Sequence, residues 1–247
     1  VALGTLADMV PLQRENRILA HAGLRQLNRT KRPGILALAK AAGITGRIGG
    51  FEVGFQIGPR LNAAGRLESA TAAMDLLRES DVAVAIEMAE KLDRINRERQ
   101  LAEKEITRQV IDTVRNRFNP ETDYVIVEGD TGWHIGVVGI VASRVMREFY
   151  RPAVIVGGSP DGDLRGSGRS VEGFDLAAAL CKCEREGHLE RAGGHAMAAG
   201  VSLQPENLDA FRHRLNELAR EQLAGKELML TLRLDASVPL SVLTLAV

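Results

Sequence analysis

The sequence has few aromatic residues, which make up 4% of its 247 positions, and it contains two cysteines. Base stacking by this chain must therefore be sparse, because few rings are available for it. Cys181 and Cys183 are one residue apart, a spacing that matches neither a zinc ribbon nor a thioredoxin motif. We expect both to be reduced thiols of a cytoplasmic protein.

Long apolar runs and an excess of either charge are also missing. No run approaches the ~20 apolar residues that a membrane span needs, and no charged segment precedes the opening apolar residues as in a signal peptide. Lys plus Arg and Asp plus Glu both number 32, so the formal net charge is zero. Proteins that bind nucleic acid nonspecifically are usually basic, so a nucleic-acid site here must be a local patch.

The sequence also lacks the clustered ligands of a two-metal phosphodiesterase. Such a site needs several carboxylates and often histidines, but no His-His pair occurs, and the single Asp-x-Asp, Asp161-Gly162-Asp163, lies far along the chain from Asp8. The chain opens without Met and closes on a strand-like run from Leu228 to Leu234 followed by apolar residues. We therefore expect it to be part of a longer protein.

The first half reads as helical. Residues 1–80 contain apolar spacings typical of helices over 15–27 and from Pro33, with a glycine-rich loop at 43–50. Residues 81–118 lack Gly and Pro and are rich in charge, which predicts one helix about 55 Å long. A helix that is polar on most faces in its middle commonly bridges two domains. A coiled coil is the alternative, but the heptads it requires are not apparent.

The second half alternates strands and helices, which indicates an α/β sheet layer over residues 119–224. A β-rich segment is expected to begin at 225–247. The predicted fold is therefore α/β, with two lobes joined by a long bridging helix and the start of an OB-like segment at the C-terminus. The predicted strands cover 124–127, 153–156, 164–170 and 199–203, and the predicted helices cover 135–149, 176–183 and 208–223.

Three stretches set Arg or His among residues too small to obstruct a ligand: Gly58–Arg66, Arg165–Ser170 and Gly193–Gly200. Backbone amides free of side-chain bulk can close on an oxyanion, and guanidinium groups can bind it bidentately. Repeated three times, this pattern favours phosphate binding over simple core packing.

Arg60, Asn62 and Arg66 are candidate anion ligands. In a continuous helix the two arginines would lie on different faces, but Pro59 and the glycines suggest a loop or helix entry where both converge. The alternative is helix capping and surface ion pairing. Asp8 follows an apolar, strand-like run, and a carboxylate at a strand end can point into a cleft. The alternative for Asp8 is a cap or turn residue.

His134 precedes the apolar helix predicted for 135–149, where it serves either as an anion ligand or as a simple N-cap. Ser167 and Arg169 alternate along a predicted strand and so share one face, which makes a plausible phosphate clamp. Gly193 and Gly194 would add backbone amides, and His195 an imidazole.

Together these motifs resemble the RecJ-type single-strand-specific exonucleases of the DHH phosphoesterase superfamily. The resemblance implies the end of a DHH catalytic domain (1–80), a connecting helix (81–118), a DHH-associated domain (119–224) and the start of an OB-fold (225–247). It implies a cleft that takes single-stranded DNA, and two Mn²⁺ or Mg²⁺ ions. The matching segments are Gly4–Leu12, Gly58–Arg66, Trp133–Arg144, Gly166–Ser170 and Gly193–Gly200.

The resemblance also implies roles for single residues. Asp8 matches a metal-ligand motif, and Arg60, Asn62 and Arg66 match a motif near the substrate backbone. Ser167 and Arg169 match the segment that binds the terminal phosphate, and His195 matches a catalytic motif beside the bond to be cleaved. The superfamily's other metal motifs are absent from this sequence, so we expect the chain alone to be inactive.

The activity implied is 5′-to-3′ hydrolysis of single-stranded DNA in repair and recombination. A single-strand-binding protein or a helicase is a further candidate partner, and no membrane partner is expected. Two alternatives stay open at this point. One is a DHH phosphoesterase that acts on short oligonucleotides, and the other is a noncatalytic scaffold that binds single strands during replication.

Overall fold

The computed structural model describes residues 1–67, 69–229, 231–232, 234 and 236–239. Its first lobe is helical, and Pro33 occupies the first turn of a helix as predicted. The run before Asp8 is a helix, so the predicted strand was wrong. Leu3 and Leu6 are three residues apart and both pack toward the lobe's core, which is helical spacing. The helices are α1 (Ala2–Ala7), α2 (Arg14–Leu27), α3 (Pro33–Ala41), a π-helical turn (Glu52–Ile57), α4 (Gly58–Leu67) and α5 (Thr71–Arg78).

The predicted bridging helix is α6 (Val82–Arg117), which has 36 residues. Asp81 caps it, since one of its carboxylate oxygens accepts from the backbone nitrogens of Ala83 at 2.8 Å and Val84 at 3.0 Å. The first half of α6 packs into the first lobe, and the second half packs into the second lobe. The helix therefore belongs to both cores and connects them.

The middle of α6 differs from its prediction, because polar side chains there are buried. Asp93, Asn96, Arg99 and Glu103 are all less than 10% exposed. Asn96, Arg99 and Glu103 continue an apolar stripe with four-three spacing, which is the heptad period. The residues of the stripe are Ala85, Ala89, Leu92, Asn96, Arg99, Glu103, Ile106 and Val110.

In the described residues the second lobe holds a five-stranded sheet of order β1-β2-β3-β5-β4. The first two strands are parallel and the other pairs are antiparallel. One face packs against α6 and α7, and the other packs against α8 and α9. The strands are β1 (Ile126–His134), β2 (Ala153–Gly158), β3 (Leu164–Arg169), β4 (Arg191–His195) and β5 (Ala198–Leu203), and the helices are α7 (Ile135–Phe149), α8 (Leu176–Arg185) and α9 (Leu208–Leu223).

Strand β4 was not predicted, and its glycines were expected only to supply backbone amides. It forms an edge of the sheet, and Gly194 has a φ of 145°. A Cβ at Gly194 would lie 2.5 Å from the backbone oxygen of Ala198, so the close approach of β4 to β5 requires glycine.

The predicted β-rich segment falls partly on residues 230, 233, 235 and 240–247, which lie outside the described residues. The described residues from 226 to 239 form no helix or strand. Both cysteines are free thiols, and Cys183 is buried. No helix within the described ranges is long and apolar enough to cross a membrane.

Candidate nucleic-acid interface

Arg66 lies where the two lobes meet. One of its terminal guanidinium nitrogens donates to the backbone oxygen of Gly136 at 3.1 Å. A Cβ at Gly136 would lie 2.0 Å from the backbone oxygen of Arg66, so α4 and α7 approach each other backbone to backbone. The side chain of Arg66 is exposed at this junction.

Ser167 and Arg169 share one face of β3, as their alternation predicted. The Arg169 guanidinium donates to Ser167 Oγ at 2.6 Å and to the backbone oxygen of Gly168 at 2.8 Å. A Cβ at Gly139 of α7 would lie 3.3 Å from Ser167 Cβ and 3.6 Å from Arg169 Nη2, so this face points toward α7. Burial lowers the pKa of Arg169, and the positive charge of Arg66 lowers it further. The structure thus brings together two predicted cations, one from each lobe.

His195 and Gly193 lie on the same face of the sheet as Arg169. Arg169 is in register with Ala198, and Ala198 with His195; Gly193 likewise pairs with Gly200 of β5. Directly paired residues of antiparallel strands point to the same side. Two strand spacings of about 4.8 Å separate β3 from β4. The side chains between them are small, and His195 is exposed.

Arg60 does not join this group. Because α4 is a continuous helix, Arg60 and Arg66 point in different directions, and the predicted convergence was wrong. Two of its guanidinium nitrogens lie 2.8 Å from Asp93 of α6, and a third donates to the backbone oxygen of Gln56 at 2.7 Å. Its donors are engaged in packing α4 onto α6. Asn62 is exposed one turn before Arg66.

His134 is the N-cap of α7, which was one of the two open alternatives. Its Nδ1 accepts from the backbone nitrogen of Gly136 at 3.0 Å, which leaves Nε2 of the exposed ring for other contacts. Asp8 is an exposed C-cap of α1 instead of a strand end. The neighbouring Ala7 packs against Gly58, where an added Cβ would lie 3.2 Å from Ala7 Cβ. Asp8 therefore lies close to the start of α4.

A buried ionic network between α6 and α7 was missed from the sequence. The two carboxylate oxygens of Glu103 bind Arg99 at 2.7 Å and Arg144 at 2.5 Å. Arg99 also donates twice to Asn96 Oδ1, at 3.1 and 3.3 Å. Burial lowers the pKa of Arg99, and the positive charges of Arg66 and Arg144 lower that pKa further. The negative charge of Glu103 acts in the opposite direction and raises it. The polar residues in the stripe of α6 were the signal for this network.

Comparison with known proteins agrees with this architecture. The DHHA1 domain family matches residues 121–221, which include the five strands, α7, α8 and most of α9. The single-stranded-DNA-specific exonuclease RecJ of Bacillus subtilis is 42% identical over 228 residues, which are 92% of this chain and 28% of the relative. The chain spans between 28% and 41% of the length of the curated relatives it matches.

Solved structures give the same result. RecJ from Thermus thermophilus in complex with Mg²⁺ matches with a TM-score of 0.77 and 36% identity, over 89% of this chain and 33% of that one. An exonuclease RecJ bound to manganese matches with a TM-score of 0.76 and 35% identity, over 88% of this chain and 53% of that one. Residues 121–221 therefore match the DHHA1 domain family, and about nine-tenths of the chain is homologous to part of the RecJ exonucleases.

Proposed function

We propose that this chain holds single-stranded DNA for a 5′-to-3′ exonuclease that hydrolyses phosphodiester bonds. The observation that carries the proposal is the junction of the lobes, where Arg66 of α4 and Arg169 of β3 come together in a homologue of RecJ. Guanidinium groups bind phosphate oxygens bidentately, so two of them near one another at the junction suit a nucleic-acid backbone.

In this proposal Arg169 and Ser167 bind the terminal phosphate of the strand, and Arg66 binds the strand backbone from the other lobe. Asn62 adds a neutral donor one turn away from Arg66. His195, with Gly193 and Gly194, lies beside the bond to be cleaved, and the small residues of β5 let the strand approach the sheet. His134 is assigned to capping, and Arg60 to the contact between α4 and α6.

The metal requirement rests on the relatives, whose structures were solved with Mg²⁺ or manganese. No group of three or more His, Cys, Asp or Glu that could hold a metal ion occurs in the described part of the chain. Asp8 alone does not make a two-metal site. The residues present therefore do not fit the pair of ions, and Asp8 is proposed only as one ligand of it.

The assignment of the terminal phosphate is tested by Arg169→Ala. We expect this variant to bind a 5′-phosphorylated oligonucleotide about tenfold or more weakly. The reason is that a hydrogen bond to a charged group contributes ~1.5–3 kcal/mol. The loss for the same oligonucleotide with a 5′-hydroxyl should be smaller. Fluorescence anisotropy measures both affinities.

Arg185→Ala is the matched control, since Arg185 is exposed on α8, across the sheet from Arg169. It should leave both affinities unchanged. An equal loss for the two oligonucleotides in Arg169→Ala would remove Arg169 from the terminal-phosphate role. Binding that does not strengthen from dinucleotides to long strands would favour a phosphoesterase of short oligonucleotides instead.

The finer features belong to the whole protein and are proposals as well. They are a role in DNA repair and recombination in the cytoplasm, and assembly with a single-strand-binding protein or a helicase.

A further inference from the structure

We propose that Arg144 binds a second backbone phosphate of the strand and that Glu103 is the residue that positions it. This inference rests on the proposed function and extends the binding surface from the junction at Arg66 along α7.

The position of Arg144 follows from the helix geometry. It lies eight residues beyond Gly136, where Arg66 contacts α7. Two helical turns therefore separate these points by about 12 Å. A phosphate at Arg144 would thus belong to a different nucleotide from a phosphate at Arg66.

The side chain of Arg144 is held at one edge and open at the other. Its Nη2 lies 2.5 Å from a carboxylate oxygen of Glu103, yet the side chain is 58% exposed. A guanidinium carries five N–H donors in a rigid fork. Anchoring one edge on a buried carboxylate fixes the direction of the remaining donors, which face solvent. Such preorganisation reduces the entropy lost when a phosphate binds.

The charge balance leaves positive charge available. Glu103 also pairs with the buried Arg99, so one carboxylate serves two guanidinium groups. Arg66 and Arg144 both lie close enough to Arg99 to lower its pKa, and Arg66 has the same effect on Arg169. The cations that a strand can reach therefore form a run of Arg144, Arg66 and Arg169, with Arg99 buried beside it.

A run of cations at successive positions fits an anion with regularly spaced charges. A mononucleotide can bind one end of the run, but a single strand can contact several members at once. The ligand class is therefore a single-stranded nucleic acid of several nucleotides. The alternative role for Arg144 is purely structural, fastening α7 to α6, and it predicts no effect of Arg144 on the salt dependence of binding.

The experiment measures binding of a fluorescent, 5′-phosphorylated oligothymidylate of 12 nucleotides at several NaCl concentrations, using the whole chain. For Arg144→Ala we expect the slope of log K against log salt to become smaller by about 0.7, as for one lost phosphate contact on a single strand. Affinity for a 5′-phosphorylated mononucleotide should stay unchanged, because it cannot reach Arg144.

Arg147→Ala is the matched control. Arg147 is an exposed arginine on the same helix, and it forms no ion pair within the described part of the chain. Arg147→Ala changes the net charge by the same amount as Arg144→Ala, but it should leave the slope of log K against log salt unchanged. Arg144→Lys retains the charge and can still reach Glu103, so it should keep most of the slope. This variant separates a lost contact from a general loss of structure.

Each outcome has a defined consequence. A slope for Arg144→Ala equal to that of Arg147→Ala, with binding by the unmodified chain intact, overturns the role of Arg144 and leaves the proposed function standing. A slope for Arg144→Lys as small as that for Arg144→Ala overturns it too, since charge would then not be the cause. If the unmodified chain does not bind the oligonucleotide at all, both proposals fall.

Discussion

Replacing Glu103 by Gln tests how much the buried network between α6 and α7 contributes to the stability of the chain. The side chain of Glu103 is 5% exposed and pairs with Arg99, which is itself only 10% exposed. Glutamine keeps the shape and one acceptor oxygen, but it removes the negative charge. The variant therefore leaves the charge of Arg99 without its ion-pair partner in a place from which water is largely excluded.

The expected loss of unfolding free energy follows from how deeply each ion pair of Glu103 is buried. Removing one partner of a buried ion pair costs ~3–5 kcal/mol, because the other charge stays buried and uncompensated. The ion pair of Glu103 with Arg144 adds little to this free energy, because the Arg144 side chain is 58% exposed. Asn96 still accepts from Arg99, which favours the lower end of the range. We expect about 3 kcal/mol, and a fall in Tm of about 6–12 °C for a chain of this size.

Urea unfolding followed by circular dichroism measures the free energy, with Glu105→Gln as the matched control. Glu105 lies on the same helix and pairs with Arg108 at 2.6 Å, but both side chains are more than half exposed. Its replacement should not change the unfolding free energy measurably. The loss in Glu103→Gln should persist in 1 M salt, where the Debye length of about 3 Å screens exposed charges.

Two results would refute this reasoning. If Glu103→Gln and Glu105→Gln unfold at the same urea concentration, burial of the network does not contribute to stability. If the difference between them disappears in 1 M salt, Glu103 is reached by solvent ions and does not act as a buried partner of Arg99.

Two further predictions follow from the packing. Gly136→Ala should lower the unfolding free energy by ~1–3 kcal/mol through overpacking against Arg66, outweighing the ~1 kcal/mol that alanine gains in helix propensity. Gly4→Ala is the control, because an added Cβ there meets nothing within 4 Å, and it should leave the unfolding free energy unchanged or raise it. If urea unfolding shows the same loss of free energy for both variants, the close contact between Gly136 and the backbone of Arg66 does not cause the loss. Burial raises the pKa of Cys183 to about 11, so at pH 8 about a thousandth of it is thiolate. Iodoacetamide should therefore label Cys181 first, and equal labelling by mass spectrometry would show that Cys183 is accessible.

The sequence allowed several elements to be predicted correctly. Helices α7 and α9 occupy the predicted residues 135–149 and 208–223. Their apolar residues recur at helical spacing, and the start of α7 at His134 follows from a polar residue that can cap it. The shared face of Ser167 and Arg169 followed from the alternation of a strand.

The middle of α6 was misread because residue type was given more weight than spacing. The helix was predicted to be polar on most faces in its middle, although Asn96, Arg99 and Glu103 continue the four-three period of the apolar stripe. The period alone could have identified the buried face. The identity of the partner could not be predicted, because Arg144 lies about 40 residues further along the chain and its contact with Glu103 depends on how α7 packs.

Strand β4 and the contact of Arg66 with α7 share another reason for being missed. Each depends on a close approach between backbones that glycine permits, at Gly194 and Gly136. A glycine in a sequence signals such an approach only as one possibility among turns, bulges and loops. The position of the opposing backbone decides between them, and that position is a property of the assembled fold.

Arg66 contacts α7 at the junction of the lobes and also belongs to the proposed binding surface. Burial disfavours the charged forms of Arg99 and Arg169, and their neighbour Arg66 adds to the effect on both. A phosphate backbone bound along this run would add negative charge near Arg66 and Arg169. Any ligand that binds the native state alone also stabilises it. Strand binding and the contact between α4 and α7 should therefore reinforce each other through the guanidinium group of Arg66.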